Sequence, residues 1–67
     1  MITITLNGEV TQVPGNLTVD QLLRMREVDP DSVAIAVDME FVARKQYSVT
    51  MVENNQSIEM LTAVQGG

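Results

Sequence analysis

Reactive side chains are scarce in this sequence. None of its 67 residues is cysteine, histidine or tryptophan, so the chain holds no thiol nucleophile, no imidazole base and no Ser-His-Asp arrangement. What it does hold is the terminal run Gln65-Gly66-Gly67, a strip of backbone ending in a carboxylate. A terminal carboxyl group ordinarily titrates at roughly pH 3.3 to 3.7, so it is ionised at pH 7 and inert toward nucleophiles until it is activated. Activation by ATP as an acyl-adenylate requires the carboxylate to reach deep into another protein's site, beside the α-phosphate. Residues without Cβ pass through a narrow channel and turn where they must. The expectation is a flexible tail over 65–67, with Gly67 as the group that reacts and Gln65, Gly66 and Gly67 as the part that enters a partner's channel. By itself a Gly-Gly end reads as a frayed terminus; what precedes it decides.

Met1 to Leu6 alternates, with Ile2, Ile4 and Leu6 on one face and threonines on the other, which predicts a half-buried strand. Asn7-Gly8 follows at once and signals a hairpin through a type I′ turn. Glu9 to Val13 should return antiparallel as an edge strand that twists or bulges, because Val10 and Val13 fall on opposite faces. Thr18 and Gln21 fit a capping box, with Leu17 and Leu22 as a hydrophobic staple, and Val19, Leu22 and Leu23 make an apolar helical stripe that Arg26 continues along its edge. Pro30 within Asp29-Pro30-Asp31 is the expected helix stop.

Val33-Ala34-Ile35-Ala36-Val37 predicts a central strand covered on both faces. Asp38-Met39-Glu40 reads as a tight turn into a short strand at Phe41-Val42, and Arg44 to Tyr47 as one helical turn or irregular chain. Glu53 to Gln56 is a polar loop, and Ser57 to Val64 predicts a long interior strand, with Ile58 and Met60 on one face and Leu61 and Ala63 on the other. Hairpin, helix and three strands make an α+β domain of the β-grasp (ubiquitin-like) type, a mixed sheet of about five strands packed on one helix. The whole chain, 1–67, is read as a single domain, and that setting is what turns a Gly-Gly end into a candidate functional tail.

Composition narrows the classes further. Nine acidic against four basic residues give a formal charge of −5, and Phe41 and Tyr47 are the only aromatics, which disfavours nucleic acid as a partner and favours proteins with basic surfaces. No apolar stretch approaches the roughly 20 residues of a membrane span, and no secretory signal is evident, so no membrane association and a cytoplasmic location are expected. Arg44-Lys45 is the one basic doublet and reads as a solvated turn; the carboxylates have no calcium-loop spacing, and no metal site is expected. Phe41 and Met60 form a candidate docking patch if they share an exposed face, although Met60 by itself reads as core.

The tail Thr62-Ala63-Val64-Gln65-Gly66-Gly67, the opening Asn7-Gly8-Glu9, Gly15-Asn16-Leu17-Thr18-Val19 followed by Leu22-Leu23, the run Val33 to Val37, and Val42-Ala43-Arg44 together resemble the ThiS family, the sulfur carriers of thiamine biosynthesis. The resemblance implies a carrier acted on by enzymes and not itself an enzyme. A ThiF-type enzyme would adenylate Gly67 with ATP, the carrier binding no cofactor of its own. Sulfur derived from cysteine through a desulfurase would give a C-terminal thiocarboxylate, delivered to thiazole synthase, ThiG. Carriers for molybdopterin or another thiocarboxylate pathway, and ubiquitin-like modifiers, share the tail and remain open alternatives. The sequence departs from the family's habit in turns: Asp38-Met39-Glu40 stands where Asn-Gly-Glu is common, Ala43 where proline is, and Asn54-Asn55-Gln56 where an Asp-Gly-Asp-like turn is. Methionine is a poor occupant of a positive-φ position.

Overall fold

A computed structural model of the chain describes residues 1–62. Strand β1 (Ile2–Leu6) turns at Asn7 and Gly8, whose φ angles of 50° and 82° are those of a type I′ hairpin, into the antiparallel β2 (Glu9–Val13). β2 lies at the sheet edge, yet it does not bulge: Ile2 to Leu6 pair one for one with Val13 to Glu9. Val13 is buried in the core, and Val10, one face over, stands exposed. An exposed valine at an edge needs no extra residue in the strand, which is why the mismatch in alternation leaves the register unbroken.

After the two-residue β3 (Leu17–Thr18) comes helix α1 (Val19–Met25). Thr18 is the N-cap: its Oγ1 accepts from the Gln21 N–H at 3.2 Å, while Gln21 Oε1 accepts from the Thr18 N–H at 2.9 Å. The next two free helix donors, Val19 and Asp20 N–H, are taken by the carbonyls of Thr50 and Tyr47. The helix stops before Pro30 has any influence. Val28 N–H bonds to Leu23 O and Glu27 N–H to Arg24 O, a Schellman close that puts Glu27 at φ 58°. Arg26 is the C-cap and is exposed, so it does not extend the apolar stripe.

A 3-10 turn (Pro30–Ser32) leads into β4 (Val33–Val37), which turns at Asp38 and Met39 into β5 (Glu40–Val42). A second 3-10 turn (Arg44–Gln46), the short β6 (Met51–Val52) paired with β3, and β7 (Ser57–Thr62) complete the described chain. The main sheet runs β2-β1-β7-β4-β5, with β7 parallel to β1 and antiparallel to β4. The central strand is therefore β7, not β4. β4 is interior but next to the edge, and only one of its faces is covered throughout: Val33 and Ile35 are buried and Ala34 is exposed.

Helix α1 lays Val19, Leu22 and Leu23 against one sheet face, where they join Ile4, Leu6, Val13, Val33, Ile35 and Ile58, with Leu17, Tyr47 and Val52 closing the side. The buried Tyr47 hydroxyl donates to Val33 O at 3.1 Å, so no buried side-chain polar atom among the described residues lacks a partner.

Asp38 and Met39 have φ of 49° and 72°, a second two-residue type I′ turn built without glycine. Asp38 is held in place, its Oδ1 accepting from Ser57 N–H at 2.8 Å. Met39 is 89% exposed, so nothing compensates its left-handed backbone, which costs a non-glycine residue roughly 1–2 kcal/mol. Met39→Gly relieves that strain against a somewhat larger unfolded-state entropy, and the net expected gain is about 1 kcal/mol, raising the melting temperature by ~4–8 °C in thermal unfolding.

Candidate functional site

The candidate reacting residue, Gly67, and the candidate channel residues Gln65 and Gly66 lie outside the described residues, as do Ala63 and Val64 at the end of the expected last strand. What the structure supplies is the strand that leads to them. β7 lies between β1 and β4, and its pairing with β4 continues through Ala34 opposite Leu61 and Val33 opposite Thr62. Its pairing with β1 is shorter, Thr5 opposite Ser57 and Leu6 opposite Ile58, and an asparagine side chain extends it at each end. Asn54 Oδ1 accepts from Thr3 N–H at 2.8 Å before the paired stretch, and Asn7 Oδ1 accepts from Met60 N–H at 2.7 Å beyond it. Neither asparagine stands out in the sequence as more than a turn residue, and only the fold shows the extra bonds.

Among the described residues, the sheet face opposite α1 carries no helix of its own. Register places Phe41 beside Ala36, Ala36 beside Glu59, and Ala34 beside Leu61 on that face. Phe41 is 71% and Leu61 50% exposed. They stand on either side of β4, whose small Ala34 and Ala36 leave a low floor between them. Met60 does not join them: it lies opposite Ile35 and packs partly buried against the core. The Phe41–Met60 pairing is corrected on this point. Met60 takes the core position its alternation with Ile58 suggested, and Leu61 is the residue that shares the open face with Phe41. Leu61 was legible as facing away from Met60; that Phe41 shares its face depends on strand order, which no local pattern carries.

Charge is distributed unevenly over this framework. The five strands of the main sheet contain Glu9, Glu40 and Glu59 and no lysine or arginine, while the four cations lie at the helix (Arg24, Arg26) and in the turn after β5 (Arg44, Lys45). Arg24 pairs with Asp20 at 3.3 Å one helical turn away. Arg44 is engaged within the fold, its Nε donating to Pro30 O at 3.1 Å and its Nη2 to Val33 O at 3.4 Å, with Asp31 Oδ1 at 3.9 Å. It fastens the start of β4 and is not simply a solvated side chain. Among the described residues no cavity opens and no three potential metal-ligating side chains gather. No described helix is long and apolar enough to cross a membrane.

Among the described residues, one α-helix packed across a five-stranded mixed sheet with its last strand in the middle, and a Gly-Gly sequence beyond that strand, define a small carrier-like β-grasp domain. The chain belongs to the ThiS family, whose model matches residues 4–67. Among solved structures it is similar to the crystal structure of the thiamine biosynthesis protein ThiS from Geobacter metallireducens, at 28% identity and a TM-score of 0.85, covering 98% of this chain and 100% of that one. It is likewise similar to the NMR solution structure of a thiamine biosynthesis protein from the same organism, at 28% identity and a TM-score of 0.81, covering 98% of this chain and 88% of that one. No curated protein matches the chain.

Proposed function

We propose that this protein is a sulfur carrier of thiamine biosynthesis whose working group is the Gly67 carboxylate. The observation that carries the reading is that the family match extends through Gly66 and Gly67 to the end of the sequence. A carboxylate oxygen of Gly67 attacks the α-phosphorus of ATP in a ThiF-type partner and pyrophosphate leaves. A persulfide, loaded with the sulfur of cysteine by a desulfurase, then attacks the acyl carbon and displaces AMP, and a second thiol cleaves the resulting acyl disulfide, forming a disulfide of its own and leaving the thiocarboxylate that thiazole synthase consumes. The carrier supplies no catalytic side chain to either step, in keeping with a chain that has neither cysteine nor histidine. It contributes reach and a handle.

The handle is the open sheet face, with Phe41 and Leu61 as apolar anchors beside Glu59, and it suits an apolar partner surface with a basic rim. Phe41→Ala is expected to raise the KM of the adenylating enzyme for the carrier by about 10- to 30-fold, the usual scale for losing an aromatic anchor at an interface. Its melting temperature should change little, because the side chain is mostly exposed. An unchanged KM would remove Phe41 from the docking surface.

The function itself is tested by incubating the protein with a ThiF-type enzyme, MgATP and a sulfur source, followed by intact-mass and C-terminal peptide analysis. Replacement of one oxygen by sulfur at Gly67 is the expected product. Conjugates through Gly67 to lysines of other proteins would instead identify a ubiquitin-like modifier, and an unmodified chain under conditions that convert a known carrier would refute both.

A further inference from the structure

We propose that Asn7 is a positioning residue for adenylation, its side chain fixing the strand that delivers Gly67 to the partner; the inference rests on the carrier reading above. The argument comes from the β1–β7 ladder. In parallel pairing, a residue whose N–H bonds to position j−1 of its neighbour accepts, through its own carbonyl, from the N–H of position j+1. Asn7 N–H donates to Ile58 O at 2.9 Å, so the following rung belongs to Met60 N–H and the Asn7 carbonyl. The chain turns away there, with Asn7 at φ 50° and Gly8 at φ 82°. The rung is made all the same, by Asn7 Oδ1 at 2.7 Å from Met60 N. One residue thus both starts the hairpin turn and supplies the acceptor that the turn has carried off.

Its location gives the bond a consequence. β1 makes no later rung to β7 among the described residues, and from Leu61 onward the strand is paired on the β4 side alone. Leu61, one of the two open-face anchors, comes immediately after Met60. Without the Oδ1 acceptor, the segment from Met60 to Thr62 samples more orientations relative to the face that carries Phe41. A partner that receives one of those orientations then binds with an apparent affinity lowered by the fraction of chains that hold it. After docking, the Gly67 carboxylate meets ATP as before, so the effect falls on KM and not on kcat.

Asn7→Gly keeps a residue that tolerates positive φ and removes the acceptor. Asn7→Asp keeps an acceptor of the same reach on a residue that also tolerates positive φ. The full-length wild type and both variants are assayed with a ThiF-type enzyme and MgATP for carrier-dependent pyrophosphate release, at a temperature where all three are folded. Amide exchange at Met60 is followed in parallel. N7G is expected to raise KM about fivefold, the effect of one neutral hydrogen bond, with kcat unchanged and the Met60 amide exchanging faster. N7D is expected to restore both KM and protection. A merely structural asparagine would lower the melting temperature and leave KM where it was, and that result overturns the proposal. A KM raised equally in N7G and N7D, or a Met60 amide as protected in N7G as in wild type, overturns it too. Failure of the wild type itself to be adenylated defeats the carrier reading and the Asn7 proposal together, and the wild-type arm alone reports it.

Discussion

Deletion of Gly67 is expected to abolish thiocarboxylate formation and, because every buried side chain of the described core lies between Ile4 and Ile58, to leave the melting temperature within about 2 °C of the parent. The two halves of this result come from separate parts of the molecule. The lost glycine takes the proposed reacting carboxylate with it, and the new terminus at Gly66 would fall one residue short, roughly 3.3–3.6 Å of extended chain. At the catalytic centre of a partner, a misplacement of even 1 Å can cost about a hundredfold in rate. Placing valine at Gly66 should have the same functional outcome for a different reason, since a branched Cβ obstructs a channel shaped for bare backbone. Intact mass after incubation with ATP, a ThiF-type enzyme and a sulfur source reads the first half, and calorimetry the second. A fall in melting temperature of ~8 °C or more, equivalent to at least 1 kcal/mol in a domain of this size, would mean that the tail is part of the folded structure.

Ile58→Ala has the opposite profile. Ile58 is fully buried on the central strand, opposite Leu6 on one side and Val37 on the other, so it joins the hairpin built from β1 and β2 to the hairpin built from β4 and β5. Truncating a buried isoleucine costs about 2–5 kcal/mol, and a core of this size rarely supplies more than ~3–5 kcal/mol in total. A loss near 3 kcal/mol corresponds to a drop of ~12–24 °C in melting temperature, enough to leave a substantial unfolded fraction near 37 °C. Urea denaturation should show a lower midpoint at an unchanged m-value. Leu61→Ala on the same strand is the control: half exposed on the other face, it should lose under about 1 kcal/mol. Similar losses at the two positions would contradict the assignment of faces.

Elements with redundant local signals were readable in the sequence. Asn7-Gly8 between alternating runs gave the first hairpin, and Thr18 with Gln21 marked the helix start. The helix end was hidden because its left-handed position is occupied by Glu27, whereas the usual mark is glycine. The pair β3 and β6 has two residues per strand, too few for any period to register. Its role emerges only in three dimensions, where the chain around it offers the Tyr47 and Thr50 carbonyls to the first helix donors. The centre of the sheet was misplaced for a related reason: Val33 to Val37 is the more continuously apolar run, but strand order is decided by connection and not by hydrophobicity. For the site, the terminal glycines were conspicuous by residue type, Leu61 by alternation, and Asn7 only once a rung was found to end on its side chain.

The position of β7 also bears on how the protein is made. Synthesis proceeds from the N-terminus, so the two hairpins exist before the strand that unites them. A chain interrupted before Ser57 has β1–β2 and β4–β5 with no shared neighbour, and isolated two-stranded hairpins are marginal in water. The sheet closes only after Ser57–Thr62 has been made and has left the ribosome. A chain that lacks β7 is therefore expected to stay open to proteolysis, and the two hairpins reach their folded arrangement only in chains that carry the strand between them.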